Sequence, residues 1–532
     1  MKPTYYPLAF SALLSAFVSC SSKENNQPNI LIIMADDMGY SDIGCYGGEV
    51  ETPNIDRLAY KGIRFTQFYN SARCCPTRAS LLTGLHPHQT GMGHMVSAKK
   101  VNATKGPYQG YLNDQCVTIA EVLKTAGYNT LISGKWHVGE FHPEWPCDRG
   151  FDRFWGIISG GGNYFDITKA KAPGVIRIMA NNNERFYPPK NDFYMTNAIT
   201  DSAVSMLNQY AGGGKPFFMY LAYTAPHWPL HALQKDIDRY RGKFMKGWNE
   251  LRKERFERMK QLGILPGIAV LSPSEGEIMN WKNVENKEEM ELKMAVYAAQ
   301  IDCMDRGIGK VLEKLEEKGQ LDNTLIIFLS DNGGCAEGGI RGFDNRKNGL
   351  PPGGVDSFMS YGESWANLSN TPFRLYKHDV HEGGISTPLI VHWPAKIKDP
   401  GTIRKQMGHV TDLMATCTDV AGASYPKKHK GHQILPSEGK SLMPAILDDQ
   451  PLHDTLCWEH EGNCAIRAGN WKLVAKSKVK KDHTVNNEVL WELYDMNTDR
   501  SELNDLSRQY LSKVSELTGA WMKWAEQTGV LQ

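Results

Sequence analysis

The stretch Cys74-Cys75-Pro76-Thr77-Arg78-Ala79-Ser80-Leu81-Leu82-Thr83-Gly84 sets a thiol, a proline and an arginine at the head of an apolar run with helical spacing. Pro76 suits the first turn of a helix, where its missing N–H costs nothing, and Gly84 suits the left-handed position that closes one. Cys74 then stands where unpaired backbone N–H groups and the helix dipole gather negative charge, with Arg78 one turn on and able to reach back. An anionic substrate is the expectation. Asp36 and Asp37 offer a second chemistry, as adjacent carboxylates that end the apolar run Asn29-Ile30-Leu31-Ile32-Ile33-Met34-Ala35. A cation relieves their repulsion, and hard oxygen donors suit Ca²⁺ or Mg²⁺; taken alone, the pair also suits a solvated turn.

The elements that must carry these groups are continuous apolar runs, the mark of strands covered on both faces. Tyr128 to Ser133 delivers Gly134-Lys135-Trp136-His137, Phe217 to Tyr223 delivers Thr224-Ala225-Pro226-His227, and Thr324 to Ser330 delivers Asp331-Asn332. Thr118-Ile119-Ala120-Glu121 is a capping box that opens a helix ending at Gly127, and a long helix with an apolar stripe is expected from about Lys287 to Lys318. Strand, helix, strand alternation argues for an α/β fold with a parallel sheet, and such sheets bind ligands at the carboxyl ends of their strands. Ile385 to His392 supplies a further strand. The charged stretch from Arg239 to Asn283 reads as an exposed excursion, and the Gly- and Asn-rich segment from Gly333 to Asn370 as a functional loop. Four short strand candidates from Leu456 to Asp495 and a helix over about Arg508 to Gln527 form a second unit.

With 532 residues, 41% hydrophobic and 22% charged, the chain has room for one large α/β domain and a smaller one. A formal net charge of +1 supplies no basic field for nucleic acid, so an anion must be selected locally. Lys2, the apolar run Leu8 to Val18 and the polar turn after Cys20 form an export signal too short to span a membrane. Ser19-Cys20 is similar to a bacterial lipoprotein cleavage site, although Phe17 stands where leucine is usual, so simple secretion is the alternative. Eleven cysteines are an odd number for an exported chain. Cys20, as a lipid site, is a candidate for a special fate, and Cys457 and Cys464 are near enough in sequence to bridge a hairpin, a pairing that sequence alone leaves open.

Cys74-Cys75-Pro76-Thr77-Arg78 followed by Leu82-Thr83-Gly84 resembles the signature of the type I sulfatases, in the alkaline phosphatase superfamily. Thr52-Pro53-Asn54-Ile55-Asp56-Arg57-Leu58-Ala59, Gly134-Lys135-Trp136-His137, Pro226-His227 and Lys377 before Glu382-Gly383-Gly384 fall at further positions of that family, although Lys377 lies farther from its glutamate than is commonest. The resemblance implies a large mixed, mostly parallel sheet flanked by helices over residues 29–447, after a signal at 1–19 and a linker at 20–28. It implies a smaller C-terminal antiparallel sheet with one helix over 448–532. Cys74 would be converted to formylglycine by a maturation enzyme, and Asp36, Asp37, Asp331 and Asn332 would hold the metal. Arg78, Lys135 and Lys377 would bind sulfuryl oxygens, His137 would serve the formylglycine, and His227 would protonate the leaving group. Asp36 to Gly44 and Gly91-Met92-Gly93-His94-Met95 resemble bacterial arylsulfatases. The expected substrate is a sulfated glycan or aryl sulfate, outside the cytoplasm. A formylglycine-dependent phosphodiester or phosphonate monoester hydrolase and a non-catalytic sulfated-glycan-binding protein are the rivals. Specificity candidates are Tyr164 after a glycine run, His231 four residues past His227, and Arg341 and Trp365 in the Gly-rich loop.

Overall fold

A computed structural model describes residues 1–4, 27–96, 106–169, 175, 177–189, 191–274, 278–477 and 490–530. Cys20 and the rest of the export signal after residue 4 lie outside them. The larger sheet contains β1 (Asn29–Asp36), β2 (Ile63–Tyr69), β3 (Asn129–Lys135), β4 (Arg153–Ile157), β5 (Met179–Asn181), β6 (Glu184–Arg185), β7 (Phe217–Pro226), β8 (Thr324–Ser330), β9 (Ser386–His392), β10 (Ile403–Arg404) and β11 (Gly408–His409). Its order is β10-β2-β9-β8-β1-β7-β3-β4-β5-β6, with β11 also beside β2. β1 runs parallel to β7 and β8, and β3 runs parallel to β7 and β4. β9 is antiparallel to both β2 and β8, which makes the sheet mixed.

Every residue of β1, β7 and β8 is buried, as their unbroken apolar runs require. Successive side chains go to opposite faces. Ile30, Ile32 and Met34 pack with Phe218, Tyr220, Leu325 and Ile327 beneath the Cys74–Thr83 helix. Leu31, Ile33 and Ala35 pack with Met219, Leu221 and Phe328 beneath the helices Met195–Tyr210 and Lys287–Glu317. With helices on both faces, the sheet leaves its strand ends as the place where polar groups gather.

One expectation is corrected, and one open question is answered. The charged stretch after Arg239 is not an exposed excursion, because the helix Gly247–Gln261 buries Trp248, Leu251, Phe256 and Met259. Its Arg255 is fully buried and meets Asp42 at 2.9 Å, a partner too distant in sequence for the charge to be read as internal. Cys457 and Cys464 are buried, unbridged thiols. Register explains this, since Cys457 faces Ile466 and Cys464 faces Glu459.

The second sheet is an antiparallel ribbon of β12 (Thr455–His460), β13 (Asn463–Ala468), β14 (Trp471–Ala475) and β15 (Trp491–Asp495), covered by the helix Leu511–Thr528. Buried charges join it to the large unit. Lys472 meets Glu382 at 3.0 Å and Glu502 at 2.7 Å, and Arg500 meets Glu382 at 2.8 Å. Glu382 is thereby fixed, and with it the turn that follows Lys377. Losing one member of such a network would leave an uncompensated buried charge.

Candidate active site

The Cys74–Thr83 helix begins with Cys74 itself and ends at Gly84, whose φ of 71° and N–H bond to Ser80 O make a left-handed cap. Arg78 lies on the same face one turn along and is fully buried. Its guanidinium donates to Asp331 Oδ2 at 2.7 and 3.2 Å, to the Tyr220 hydroxyl at 3.2 Å and to Lys135 O at 3.2 Å. Thus the Cys74 helix is tied to the ends of β3 and β8 and to the body of β7.

The strand ends bring three carboxylates and three cations together, all buried. Lys135 Nζ donates to Asp36 Oδ2 at 2.7 Å, and Lys377 Nζ lies 2.9 Å from Asp37 Oδ1. Asp37 N–H donates to Asp331 Oδ1 at 3.1 Å, and Asn332 Nδ2 donates to Asp37 Oδ1 at 2.8 Å. Asp36, Asp37, Asp331 and Asn332, far apart in sequence, therefore share one site. Formal charges of Asp36, Asp37 and Asp331 are matched by Arg78, Lys135 and Lys377, so an added divalent cation would leave the pocket positive, as an anionic ester requires. Among the described residues, Asp36 Oδ1, which lies 3.6 Å from the Arg78 guanidinium, and Asn332 Oδ1 are buried with no hydrogen-bond partner. Such orphaned acceptors are costly unless something binds them, and two orphaned oxygens among buried carboxylates fit a hard divalent cation. The donor set therefore fits the metal that the sequence implied.

Electrostatics divide these groups. Burial would raise Asp36, but Lys135, His227 and Arg78 outweigh it and hold the carboxyl well below its usual range. Asp331 is pushed up by burial and then by the charge of Asp36. Burial works against the charge of Lys135 and of Lys377, yet Asp36 keeps the first ammonium protonated and Asp37 the second.

Cys74, Cys75 and His137 have their Sγ and ring-nitrogen atoms within 4.8 Å of one another. A hydrogen bond from Cys75 is the largest influence on Cys74, and with Lys135 and His137 it holds the Cys74 thiol far below normal despite burial. Cys75 moves the opposite way, raised by burial. Burial also depresses His137 to about 4, which keeps its imidazole neutral near neutral pH. His227 Nδ1 donates to Trp228 O at 2.5 Å, and Nε2 faces Asp37 Oδ2 at 3.5 Å. Nε2 is consequently the ring nitrogen that faces the pocket carboxylates.

Backbone strain concentrates here. Asp37 and His137 have φ of 67° and 61°, in the left-handed region that non-glycine residues avoid. Gly160 and Gly161 supply space: a Cβ on Gly160 would lie 2.8 Å from His137 Nε2, and one on Gly161 would lie 2.6 Å from His227 Cε1. The glycine run was visible in the sequence, but its two histidine neighbours were not. Tyr220, which anchors Arg78, gave no sequence signal because it sits inside an apolar strand.

Of the specificity candidates, Arg341 is exposed, whereas Tyr164, His231 and Trp365 are buried. Trp365 packs against Trp248, Trp281 and Phe244 and donates to Met290 O at 2.7 Å, so it stabilises the core and offers no surface to a substrate. The Gly-rich sequence around it suggested exposure, but the short helix Glu363–Ser369 tucks the indole inside. Tyr164 OH donates to Thr224 O at 2.6 Å and lies 2.8 Å from His227 O, which makes it a support for His227. His231 Nε2 pairs with Ser357 O at 2.9 Å and serves the same loop.

Comparison with known proteins agrees with this geometry. The Sulfatase family model matches residues 28–423, and the model for N-sulphoglucosamine sulphohydrolase, C-terminal, matches residues 373–523. This chain belongs to the sulfatase family. An uncharacterised sulfatase of Schizosaccharomyces pombe is 36% identical over 96% of this chain and 95% of its own. The arylsulfatase of Klebsiella aerogenes is 36% identical over 82% of this chain and 95% of its own. Among solved structures, Ps i-CgsB in complex with k-i-k-neocarrahexaose superposes with a TM-score of 0.69 at 27% identity, covering 94% of this chain and 93% of that one. The sulfatase is accordingly a sulfuric ester hydrolase with the mixed sheet and smaller antiparallel sheet of its structural neighbours.

Proposed function

We propose that this sulfatase removes sulfate from a carbohydrate ester, using formylglycine made from Cys74 and a Ca²⁺ ion, with Mg²⁺ the alternative. The observation that carries the reading is the meeting of the Cys74 helix start with Arg78, Lys135 and the orphaned oxygens of Asp36 and Asn332. Cys74 stands in the structure as the unmodified precursor, its Sγ where the aldehyde's oxygen substituents would be. The resemblance of Ps i-CgsB, a protein solved with a neocarrahexaose, supports a glycan over a simple aryl sulfate.

Asp36, Asp37, Asp331 and Asn332 would hold the cation, which would supply Lewis-acid polarisation of a sulfuryl oxygen and favour ionisation of the nucleophile. Formylglycine would contribute a hydrated aldehyde, whose second hydroxyl lets the enzyme release sulfate. Arg78 and Lys135 would orient and neutralise the sulfuryl group. His227 would hold a proton at Nε2 for the leaving oxygen, with Lys377 beside it, and Asp331 would accept one from the attacking hydroxyl. His137, neutral and buried, would take the proton whose loss frees sulfate. We further propose that the enzyme depends on a maturation enzyme for Cys74 and works outside the cytoplasm, held by a lipid on Cys20; the leader sequence supports this.

The test is turnover by protein made beside a formylglycine-generating enzyme, on defined sulfated sugars, an aryl sulfate and a phosphodiester. Sulfate release that disappears in Cys74→Ala is expected. Preferred hydrolysis of the phosphodiester would overturn the sulfate-ester reading.

A further inference from the structure

Above the buried pocket stands a half-exposed ring of charged side chains that the reaction does not use. Arg73 immediately precedes Cys74, and its guanidinium lies 3.1 Å from Glu461 Oε1 and 3.7 Å from Glu337 Oε1. Glu337 also reaches inward, 3.7 Å from Lys377 Nζ, and accepts a hydrogen bond from Trp228 Nε1 at 3.0 Å. The Trp228 ring lies 4.5 Å from the His227 ring, tilted by 45°, so one indole links Glu337 to the residue proposed to serve the leaving oxygen. Glu461 comes from the β12–β13 turn of the smaller sheet and pairs with His378, next to Lys377. Beneath Glu461, His460 is fully buried, with neither ring nitrogen hydrogen-bonded among the described residues and Nε2 3.7 Å from Glu461 Oε1.

This mouth is built with care. His378 and Glu461 have φ of 89° and 49°, and Ala72 beside Arg73 has φ of 63°; strain of this kind persists where surrounding structure fixes it. Side-chain exposures of 20% for Arg73, 36% for Glu337 and 32% for Glu461 leave all three within reach of a ligand. Its charge is what distinguishes it. At the rim Arg73 faces two carboxylates, with His378 paired to Glu461 and Lys377 reaching Glu337 from the pocket, so anionic oxygens line the rim whereas the pocket below must be positive toward sulfate. Both carboxylates stay ionised: burial would raise Glu337, but Lys377, His227 and Arg73 together hold it low, and Glu461 is held low by its hydrogen bond from His378 against the same effect of burial.

Resting on the sulfatase reading, we infer that Arg73, Glu337 and Glu461 form the leaving-group subsite, which accepts a neutral, polyhydroxylated sugar bearing a single sulfate and rejects a sugar that carries a second anion. Hydroxyl groups can donate to Glu337 and Glu461 and accept from Arg73, a match that carboxylate or sulfate substituents cannot make. A second sulfate or a uronate would set like charges together in this site, which disfavours its binding. The subsite joins the two units of the chain, since Glu461 belongs to the smaller sheet and Glu337 to the long loop after β8.

The experiment measures kcat/KM for a monosulfated neutral sugar and for the same sugar bearing a second sulfate, in the mature wild-type enzyme, Glu337→Gln and Glu461→Gln. The ratio of the two values cancels any general loss of active sites. Wild type should favour the monosulfate by about tenfold or more, and each Gln variant should shrink that ratio several-fold. Equal turnover of both sugars by wild type, or a ratio unmoved in both variants, overturns the inference. An aryl sulfate assayed in parallel separates the two levels: wild type that hydrolyses it while failing the sugar comparison refutes the subsite alone, whereas absence of any sulfate release refutes the sulfatase reading on which it rests.

Discussion

The pocket floor and the mouth of this enzyme are made of the same residue types and behave differently. On the floor, Asp36, Asp331, Arg78 and Lys135 have fully buried side chains, and every cation has a carboxylate within 3 Å. At the mouth, Arg73, Glu337 and Glu461 are partly in water, with separations of 3.1 to 3.7 Å. Burial strengthens each charge interaction and penalises each unpaired charge, so the floor admits almost no variation. Solvent weakens both effects at the rim, where charge can be changed at modest cost. A shared chemistry and a substrate-specific choice can therefore be encoded in adjacent layers of one site.

Breaking the floor should have the largest effect. Asp36→Asn removes a carboxylate that holds Lys135 and a proposed cation ligand, and kcat/KM for an aryl sulfate should fall on the order of 10³-fold, about 4 kcal/mol. Calcium affinity measured by titration calorimetry should fall with it, and unchanged affinity would remove Asp36 from the metal site. Trp365→Ala should cost about 3–5 kcal/mol of stability by opening a cavity among Trp248, Trp281 and Phe244. Its preference among sugars should not change; a change would restore Trp365 as a specificity residue.

Smaller effects test how the floor is supported. Tyr164→Phe deletes the hydroxyl that bonds the loop carrying His227, and kcat should drop about tenfold, consistent with loss of buried hydrogen bonds. The loss should grow as the leaving group becomes more basic, because only such substrates need His227 as an acid; a uniform loss would mark Tyr164 as merely structural. A separate effect concerns pH. Burial depresses His86 and His460 to about 3 and His137, His231 and His392 to about 4, from an ordinary value of 6.5. Below pH 6.5 the unfolded chain takes up protons that these folded-state histidines refuse, so stability should decline as pH falls from about 6.5 toward 4. Scanning calorimetry between those limits should show a falling Tm, and a Tm that rises on acidification would contradict the assignment of these rings as buried and neutral.

Strand ends explain why so much of the floor was legible. A fully buried strand must be apolar throughout, so the first polar residue after it, whether Asp36, Lys135, His227 or Asp331, announces itself. Capping chemistry was equally local: Thr118 and Glu121 form the reciprocal cap that their spacing implies. What escaped depends on closure in three dimensions. Arg255 looked like surface because Asp42 and Glu49 are distant in sequence. Glu337 became notable only when the loop after β8 met Arg73 and the turn of the smaller sheet that carries Glu461. Gly160 and Gly161 signalled a close approach without saying that histidines made it, and Trp365 showed that a glycine-rich setting does not keep an indole in water.

The central claim is that Cys74 is converted to formylglycine and that this conversion makes the enzyme a sulfatase. Mass spectrometry of the peptide containing Cys74-Cys75-Pro76-Thr77-Arg78, on protein sorted by its rate of aryl sulfate hydrolysis, tests it most directly. The account predicts that activity rises in proportion to the fraction of Cys74 carrying the aldehyde and vanishes when that fraction is zero. Full activity in protein whose Cys74 remains entirely a thiol would contradict it.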